Sequence, residues 1–202
     1  MGIRAPIYRL DDIRRAAARF LEEHHPEGTV PVPIEWIIEQ RFGMDIVPMP
    51  GLKRAFEIDA YITSDLAEIR VDLDVYSSFE TRYRFSLAHE LAHKLLHAEV
   101  FSQLRFEGLE EWKKAREGIS EREYRFIEWH ANAFAGLVLV PPDALAKQFE
   151  AAKRRLTQIG LSIEEATPAA WDTLQSWVGD AFNVSGAVID RRGRDDGLWV
   201  SE

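Results

Sequence analysis

His89-Glu90-Leu91-Ala92-His93 brings two imidazoles and a carboxylate together at a spacing that a helix converts into a metal site. One helical turn separates His89 from His93, which places them on the same face with about 5–6 Å between their Cβ atoms. Two imidazoles so placed can share one ion, and Zn²⁺ is the usual occupant. Glu90 is rotated roughly 100° around the helix from His89. It therefore flanks the ion without ligating it, where it can take a proton from a water that the ion activates. That chemistry is hydrolysis. The competing reading is an accident of composition, and the rest of the chain has to decide between them.

A site of this kind needs a third protein ligand and an open position. With no cysteine in the chain, the ligand must be a histidine or a carboxylate. A metzincin arrangement would place Gly at 96 and His at 99, where this chain has Leu96 and Glu99, so that class is rejected. His97 lies on nearly the same face as His93 but a further turn along. About 12 Å of helix rise separates residues 89 and 97, too much for one ion to be held from three turns of a straight helix. His97 is read as a core residue or one that supports a ligand from behind, with a substrate-facing role as the alternative. Glu128 is the better candidate. Ala131, Asn132 and Ala135 follow it on its face, and small residues there would let its helix approach the His89–His93 helix closely. His130 is rotated about 200° from Glu128, so the two cannot both face the ion. The alternative for Glu128 is a solvated acid at a helix edge.

The elements that must position these residues are legible in outline. Asp11 and Asp12 can cap a first helix with an apolar stripe of Ile13, Ala16, Ala17, Phe20 and Leu21, stopped by His24, His25, Pro26 and Gly28. Pro33 opens a second helix carrying Ile34, Ile37 and Ile38, with Gly43 at its C-cap. Met44 to Met49 reads as a strand cut by Pro48 and Pro50, hence an edge. Phe56, Ile58, Ala60 and Ile62 alternate with polar neighbours, as do Ile69, Val71 and Leu73, and Ser64-Asp65-Leu66 between them predicts a hairpin. Phe79 to Ala98 reads as a core helix, apolar around most of its circumference. Glu107 to Arg125 reads as a solvated connection. Ser120 with Glu123 forms a capping box for a helix running through Ile127, Ala131, Phe134, Ala135 and Val138 to the stop at Pro141-Pro142. The expected fold is α+β: a zincin-like core over residues 1–145 with N-terminal helices, a small three-stranded sheet, the helix carrying the motif and a following ligand-bearing helix. Residues 146–202 are expected to form a C-terminal helical extension.

Composition removes other classes. The 202 residues are 46% hydrophobic and 29% charged, with six Trp and eleven Phe, an ordinary globular balance. The longest strongly apolar run, Ala133 to Val140, is too short to span a bilayer, and Met1 to Pro6 offers no signal-peptide core. The absence of cysteine fits a reducing cytoplasm. A formal charge of −9 opposes sequence-independent binding to nucleic acid. The segment 168–202 reads as a helix from Ala169 to Phe182, a break at Asn183-Val184-Ser185, and a second helix through Ala187, Val188 and Ile189. A helix-turn-helix has this outline. However, Arg191, Arg192 and Arg194 stand against Asp172, Asp180, Asp190, Asp195, Asp196 and Glu202, the wrong balance for contacting phosphates. Covering the core, or meeting a protein partner through Trp171, Trp177 and Trp199, is the expected role.

Two segments resemble the ImmA/IrrE family of metallopeptidases. They are Arg84 to His97 (RFSLAHELAHKLLH) and Glu128-Trp129-His130-Ala131-Asn132-Ala133-Phe134-Ala135 leading into Leu139-Val140-Pro141. The resemblance, over roughly residues 8 to 145, implies metal ligands at His89, His93 and Glu128 and a catalytic Glu90. Val140 stands where the family commonly has Met, a change in packing. About sixty residues follow Pro141, so the chain looks like the shorter mobile-element or toxin–antitoxin members rather than those with a large sensor domain. What the family implies is a zinc-dependent endopeptidase that cleaves a helix-turn-helix repressor or antitoxin-type partner in the cytoplasm. The oxyanion donor stays open among Tyr83, Tyr124 and His97. A binding module that sequesters a repressor without cutting it, or less readily a DNA-binding regulator, are the alternative functions.

Overall fold

A computed structural model of the chain describes residues 4–104, 106, 108–160 and 167–199. It is an α+β fold, mostly helical around one small sheet. Helix α1 (Leu10–His24) buries Ile13, Ala17 and Phe20. Its cap lies at Arg9, two residues before Asp11, and the Asp12 carboxylate accepts from the backbone N–H of that Arg9 (2.8 Å). Helix α2 (Ile34–Phe42) starts after Pro33 and ends at Gly43, whose φ of 59° is the left-handed conformation that glycine adopts without strain.

The three strands are β1 (Asp45–Met49), β2 (Ala60–Ile62) and β3 (Glu68–Asp72), in the order β1-β3-β2. β1 pairs parallel to β3, with Ile46 opposite Ile69, and is an edge strand, consistent with Pro48 lacking a donor. β2 pairs antiparallel to β3 and forms the other edge. The turn between them places Leu66 at a φ of 59°, and Asp65 accepts from the Thr63 hydroxyl and the Ala67 N–H.

Three expectations are corrected here. Phe56 to Ile58 is not strand: Phe56 ends helix α3 (Leu52–Phe56), Glu57 takes a φ of 60° as its C-cap, and strand begins only at Ala60. Leu73 is not strand either, because it opens helix α4 (Leu73–Ser78). One buried carboxylate decides both. Asp72 accepts from the N–H groups of Asp74 (3.0 Å) and Val75 (3.3 Å), capping α4, and from that of Lys53 (2.9 Å) in α3. Burial opposes its charge, but these three donors hold its pKa below the usual carboxylate range. The third correction concerns the expected solvated connection before the helix that carries Glu128. It contains helix α6 (Leu109–Glu117), with Leu109 and Ile119 buried; Glu107 lies outside the described residues.

The centre of the molecule is helix α5 (Glu80–Phe101) against helix α7 (Glu121–Leu139). Both expose almost nothing along their shared seam, where Leu87, Ala88, Leu91 and Ala92 meet Ala131, Ala135 and Val138, all fully buried. The backbone of α5 leaves helical geometry at His97 (φ −128°, ψ 16°), so the long helix is kinked there. Ser120 caps α7 through the Glu123 N–H (3.3 Å), but the Glu123 carboxylate meets the Ala5 N–H instead, so only half of the expected capping box forms. Helix α1 packs on the opposite face of α7, with Phe20 edge-on to Phe134.

Helix α8 (Pro142–Gln158) follows directly, and helices α9 (Pro168–Phe182) and α10 (Gly186–Asp195) close the fold. Trp199 packs at a tilt against Phe149 and Trp171 and close over Gly193, where a Cβ would come 1.9 Å from the indole. Trp177 carries Arg155 over its face at 4.1 Å. These aromatics cover the core. No helix among the described residues is long and apolar enough to cross a membrane.

Replacing Asp72 by Ala leaves three backbone donors without an acceptor. The expected cost is about 2–3 kcal/mol, measured as a lower urea midpoint; a midpoint equal to wild type would refute the assigned role.

Candidate metal centre

The motif residues sit mid-way along α5, where the seam with α7 opens into a cavity of about 290 Å³. Its floor is His89, Glu90 and His93, with Glu128 and Asn132 on the α7 side and Ala60, Tyr61 and Ile62 of β2 opposite. The ligand atoms of His89, Glu90 and His93 lie within 4.8 Å of one another.

The Nε2 atoms of His89 and His93 are 3.1 Å apart. Glu128, one exposed turn above the alanine seam, reaches across so that its carboxylate oxygens stand 3.3 Å from His89 Nε2 and 3.7 Å from His93 Nε2. Metal–ligand bonds of about 2.0–2.1 Å in a tetrahedron leave its ligand atoms about 3.3 Å apart. The observed separations are near that spacing, so His89, His93 and a Glu128 oxygen could together hold one small ion. The donor set, two neutral imidazoles and a carboxylate, suits a borderline divalent metal such as zinc.

Electrostatics agree with the geometry. His93 lies well below the usual histidine range, through burial first and then the charges at His89 and His97. His89 is opposed by burial, yet its bond to Glu128 and the charges of Glu90 and Glu128 raise it. Burial pushes Glu90 up to about 8, with Glu128 adding to the shift; His89 and the Ile62 N–H act against it. An adjacent dication favours the ionised form of such a carboxylate. The Ile62 N–H donates to Glu90 Oε2 at 2.9 Å and fixes the carboxylate at the rim. The Glu128 backbone is itself braced, its carbonyl accepting from Asn132 Nδ2 at 2.8 Å.

Of the three open oxyanion candidates, only Tyr124 lines the cavity. Burial and the Glu128 charge raise its pKa, so its hydroxyl is a neutral donor. Tyr83 is on another face of α5, edge-on to Tyr76. His97 is buried behind His93, their Nδ1 atoms 3.1 Å apart, and its pKa falls to about 3, again through burial first. Sequence reasoning missed the far wall: Phe101, Leu104, Trp112, Arg116 and Ile119, contributed by α5, α6 and the segments that follow each. Apolar residues at 109, 112, 115 and 119 were the available signal of an inward-facing stripe. Ile62 was read as strand, but a backbone N–H carries no sequence signature.

Comparison with known proteins places this geometry. The Peptidase_M78 family, described as the IrrE N-terminal-like domain, matches residues 76–192. That is more than half of the chain, and the protein belongs to this peptidase family. Among solved structures, a Mycobacterium tuberculosis transcriptional regulator shares the fold with a TM-score of 0.54 at 17% identity. The alignment covers 90% of this chain and 46% of that one, so this chain spans less than half of that protein's length. No curated protein matches the sequence. Family and cluster together support a metal-dependent peptidase.

The shifts predict how the metal-free protein responds to acid. His93, His97 and His130 have lowered pKa values in the fold, burial being the first cause for each, and gain protons on unfolding below about pH 6.5. Glu90 acts oppositely, releasing on unfolding a proton that the fold retains. His89 is charged in both states there and adds no slope. The lowered histidines outnumber the raised carboxylate, so stability falls towards acid below about pH 6.5, by about 1.4 kcal/mol per pH unit for each net proton taken up on unfolding. Urea midpoints in chelator would check this; a flat or rising profile towards acid contradicts it.

Proposed function

We propose that the protein is a zinc-dependent endopeptidase that cuts a protein partner at a specific site, the partner being a helix-turn-helix repressor or an antitoxin-type protein. The observation that carries the hydrolytic reading is the Glu128 carboxylate, 3.3 and 3.7 Å from the two imidazoles of the motif. A solvated edge acid would have no reason to stand there. His89, His93 and Glu128 would hold the ion, and Zn²⁺ so bound supplies Lewis acidity, acidifying water and polarising a peptide carbonyl. Glu90 accepts the proton of the attacking water and returns one to the leaving amine. Tyr124 is placed to donate to the carbonyl oxygen as it becomes negative.

The substrate backbone has a defined place. Asp59 and Thr63 hydrogen-bond inward to β3. Alternation then turns the backbone groups of Ala60 and Ile62 to the open edge, towards the cavity. The Ile62 N–H is engaged by Glu90, and the remaining edge groups can accept an extended peptide. Residues 1–145 would carry this apparatus, and 146–202 would serve as the helical extension. A cysteine-free chain fits cytoplasmic work. Direct DNA contact is disfavoured because Arg192 is buried against Asp196 and Arg194 is paired with Asp190. A repressor as substrate is the part of this proposal that rests on the family.

Metal analysis of protein purified without added zinc tests the site. We expect about one equivalent in wild type and weakened binding in Glu128→Gln. Absence of metal even after zinc is offered would overturn the enzyme reading and leave a sequestering module. Glu90→Gln should keep its metal and lose about 10²–10⁴-fold in turnover, read on a gel as an intact partner band. Cleavage at the wild-type rate would remove Glu90 from its role.

A further inference from the structure

Behind the metal centre lies a row of buried imidazoles that the hydrolytic step does not use. His93 Nδ1 faces His97 Nδ1 at 3.1 Å, His97 Nε2 faces His130 Nδ1 at 3.2 Å, and His130 Nε2 faces the backbone carbonyl of Tyr8 at 3.3 Å. His93, His97 and His130 are 3%, 1% and 0% exposed, so water cannot complete any of these contacts. Each ring nitrogen of His97 and His130 has one partner, and none of those partners is an anion.

The end of the row fixes all of it. A carbonyl oxygen only accepts, so His130 Nε2 carries the proton and donates to Tyr8. A neutral His130 then has a bare Nδ1, which accepts from His97 Nε2–H. His97 in turn has a bare Nδ1, which accepts from His93 Nδ1–H. What remains on His93 is a bare Nε2, the atom that points at His89 and Glu128. Reversing any one ring would set two N–H groups against each other at about 3.1–3.2 Å, or two lone pairs. A further proton on any ring has the first effect. Neither is tolerated without water.

We infer that His97 and His130 are positioning residues that lock His93 in its Nδ1–H tautomer, with the Tyr8 carbonyl as the fixed end of the relay. This inference rests on His93 as a metal ligand, the reading proposed above. Imidazole in water favours the other tautomer, which would put a proton where the ion must bind. The row therefore supplies a preformed lone pair and restrains ring rotation, an effect that outer partners of metal-bound histidines commonly exert. It also ties the centre to the N-terminal segment. Tyr8 stands edge-on to His130 with ring centroids 5.2 Å apart, and its hydroxyl reaches the Leu96 carbonyl at the kink of α5. Ala5, three residues before, is held by Glu123 of α7.

The test reads the tautomer without metal or turnover. Two-bond ¹H–¹⁵N correlation spectra of the labelled, metal-free full chain should show His93 protonated at Nδ1 and bare at Nε2. His97→Leu removes the acceptor and should move His93 towards Nε2–H, with zinc affinity, from competition with a chelating dye, falling ten- to hundredfold. His97→Asn places Oδ1 where Nδ1 was and should restore both tautomer and affinity to within a few-fold of wild type. A purely packing role would not distinguish the variants this way. Nε2–H on His93 in the wild type overturns the inference, as does wild-type affinity in His97→Leu. If His97→Leu does not fold, the wild-type spectrum and His97→Asn still decide. A wild type with the expected tautomer that takes up no zinc would sink the peptidase reading and leave the tautomer assignment standing.

Discussion

Everything at the site depends on how closely α5 and α7 approach. A carboxylate reaches an imidazole pair on another helix only if the side chains between the backbones are small, and Ala88, Ala92, Ala131 and Ala135 meet that condition. Larger residues along the seam would push the helices apart by more than the few tenths of an ångström that metal–ligand bonds tolerate. The apolar burial that stabilises the domain is thus also what sets the distances among His89, His93 and Glu128.

The sheet completes the arrangement from the other side. Ile62 holds Glu90 by a backbone bond, while Lys94 Nζ, one turn beyond, donates to the Leu66 carbonyl in the hairpin turn at 2.7 Å. From the C-terminal side, Arg84 reaches the carbonyls of Val32 (2.7 Å) and Asn183 (3.3 Å), joining α5 to the loop before α2 and to the α9–α10 junction. Helix α5 is therefore held along its length by charged side chains whose partners are mostly backbone oxygens. Such bonds hold register without requiring a second charge to be buried.

The sequence displayed periodic and local features well and distant ones poorly. Helices α1, α2, α5 and α7 stood out through their apolar spacing and caps, and the turn at 63–67 through its polar cluster. The alternation at 56–58 was misleading because its competitor, the Asp72 carboxylate, sits sixteen residues away and acts on backbone N–H groups. Leu73 yielded to the same carboxylate acting as a cap. Helix α6 was hidden by its charge, since only a narrow stripe faces inward. At the site, the motif histidines and Glu128 were visible as types and spacings. The row through His97 and His130 to Tyr8 was not: it joins segments more than a hundred residues apart through ring nitrogens whose roles only three-dimensional neighbours define.

Several partners around the centre are main-chain atoms: the Ile62 N–H at Glu90, the Tyr8 carbonyl at His130, and the Glu128 carbonyl at Asn132. Side-chain replacement cannot delete a peptide group, proline at residue 62 aside. The bond to Glu90 is therefore indifferent to which side chain stands at 62, and burial in the core, at 1% exposure, is what holds Ile62 itself. Variation in what the cavity admits falls instead to lining residues that are not fully buried, such as Ile58, Trp112 and Arg116, which can change while the backbone bonds around Glu90, Glu128 and His130 stay as they are.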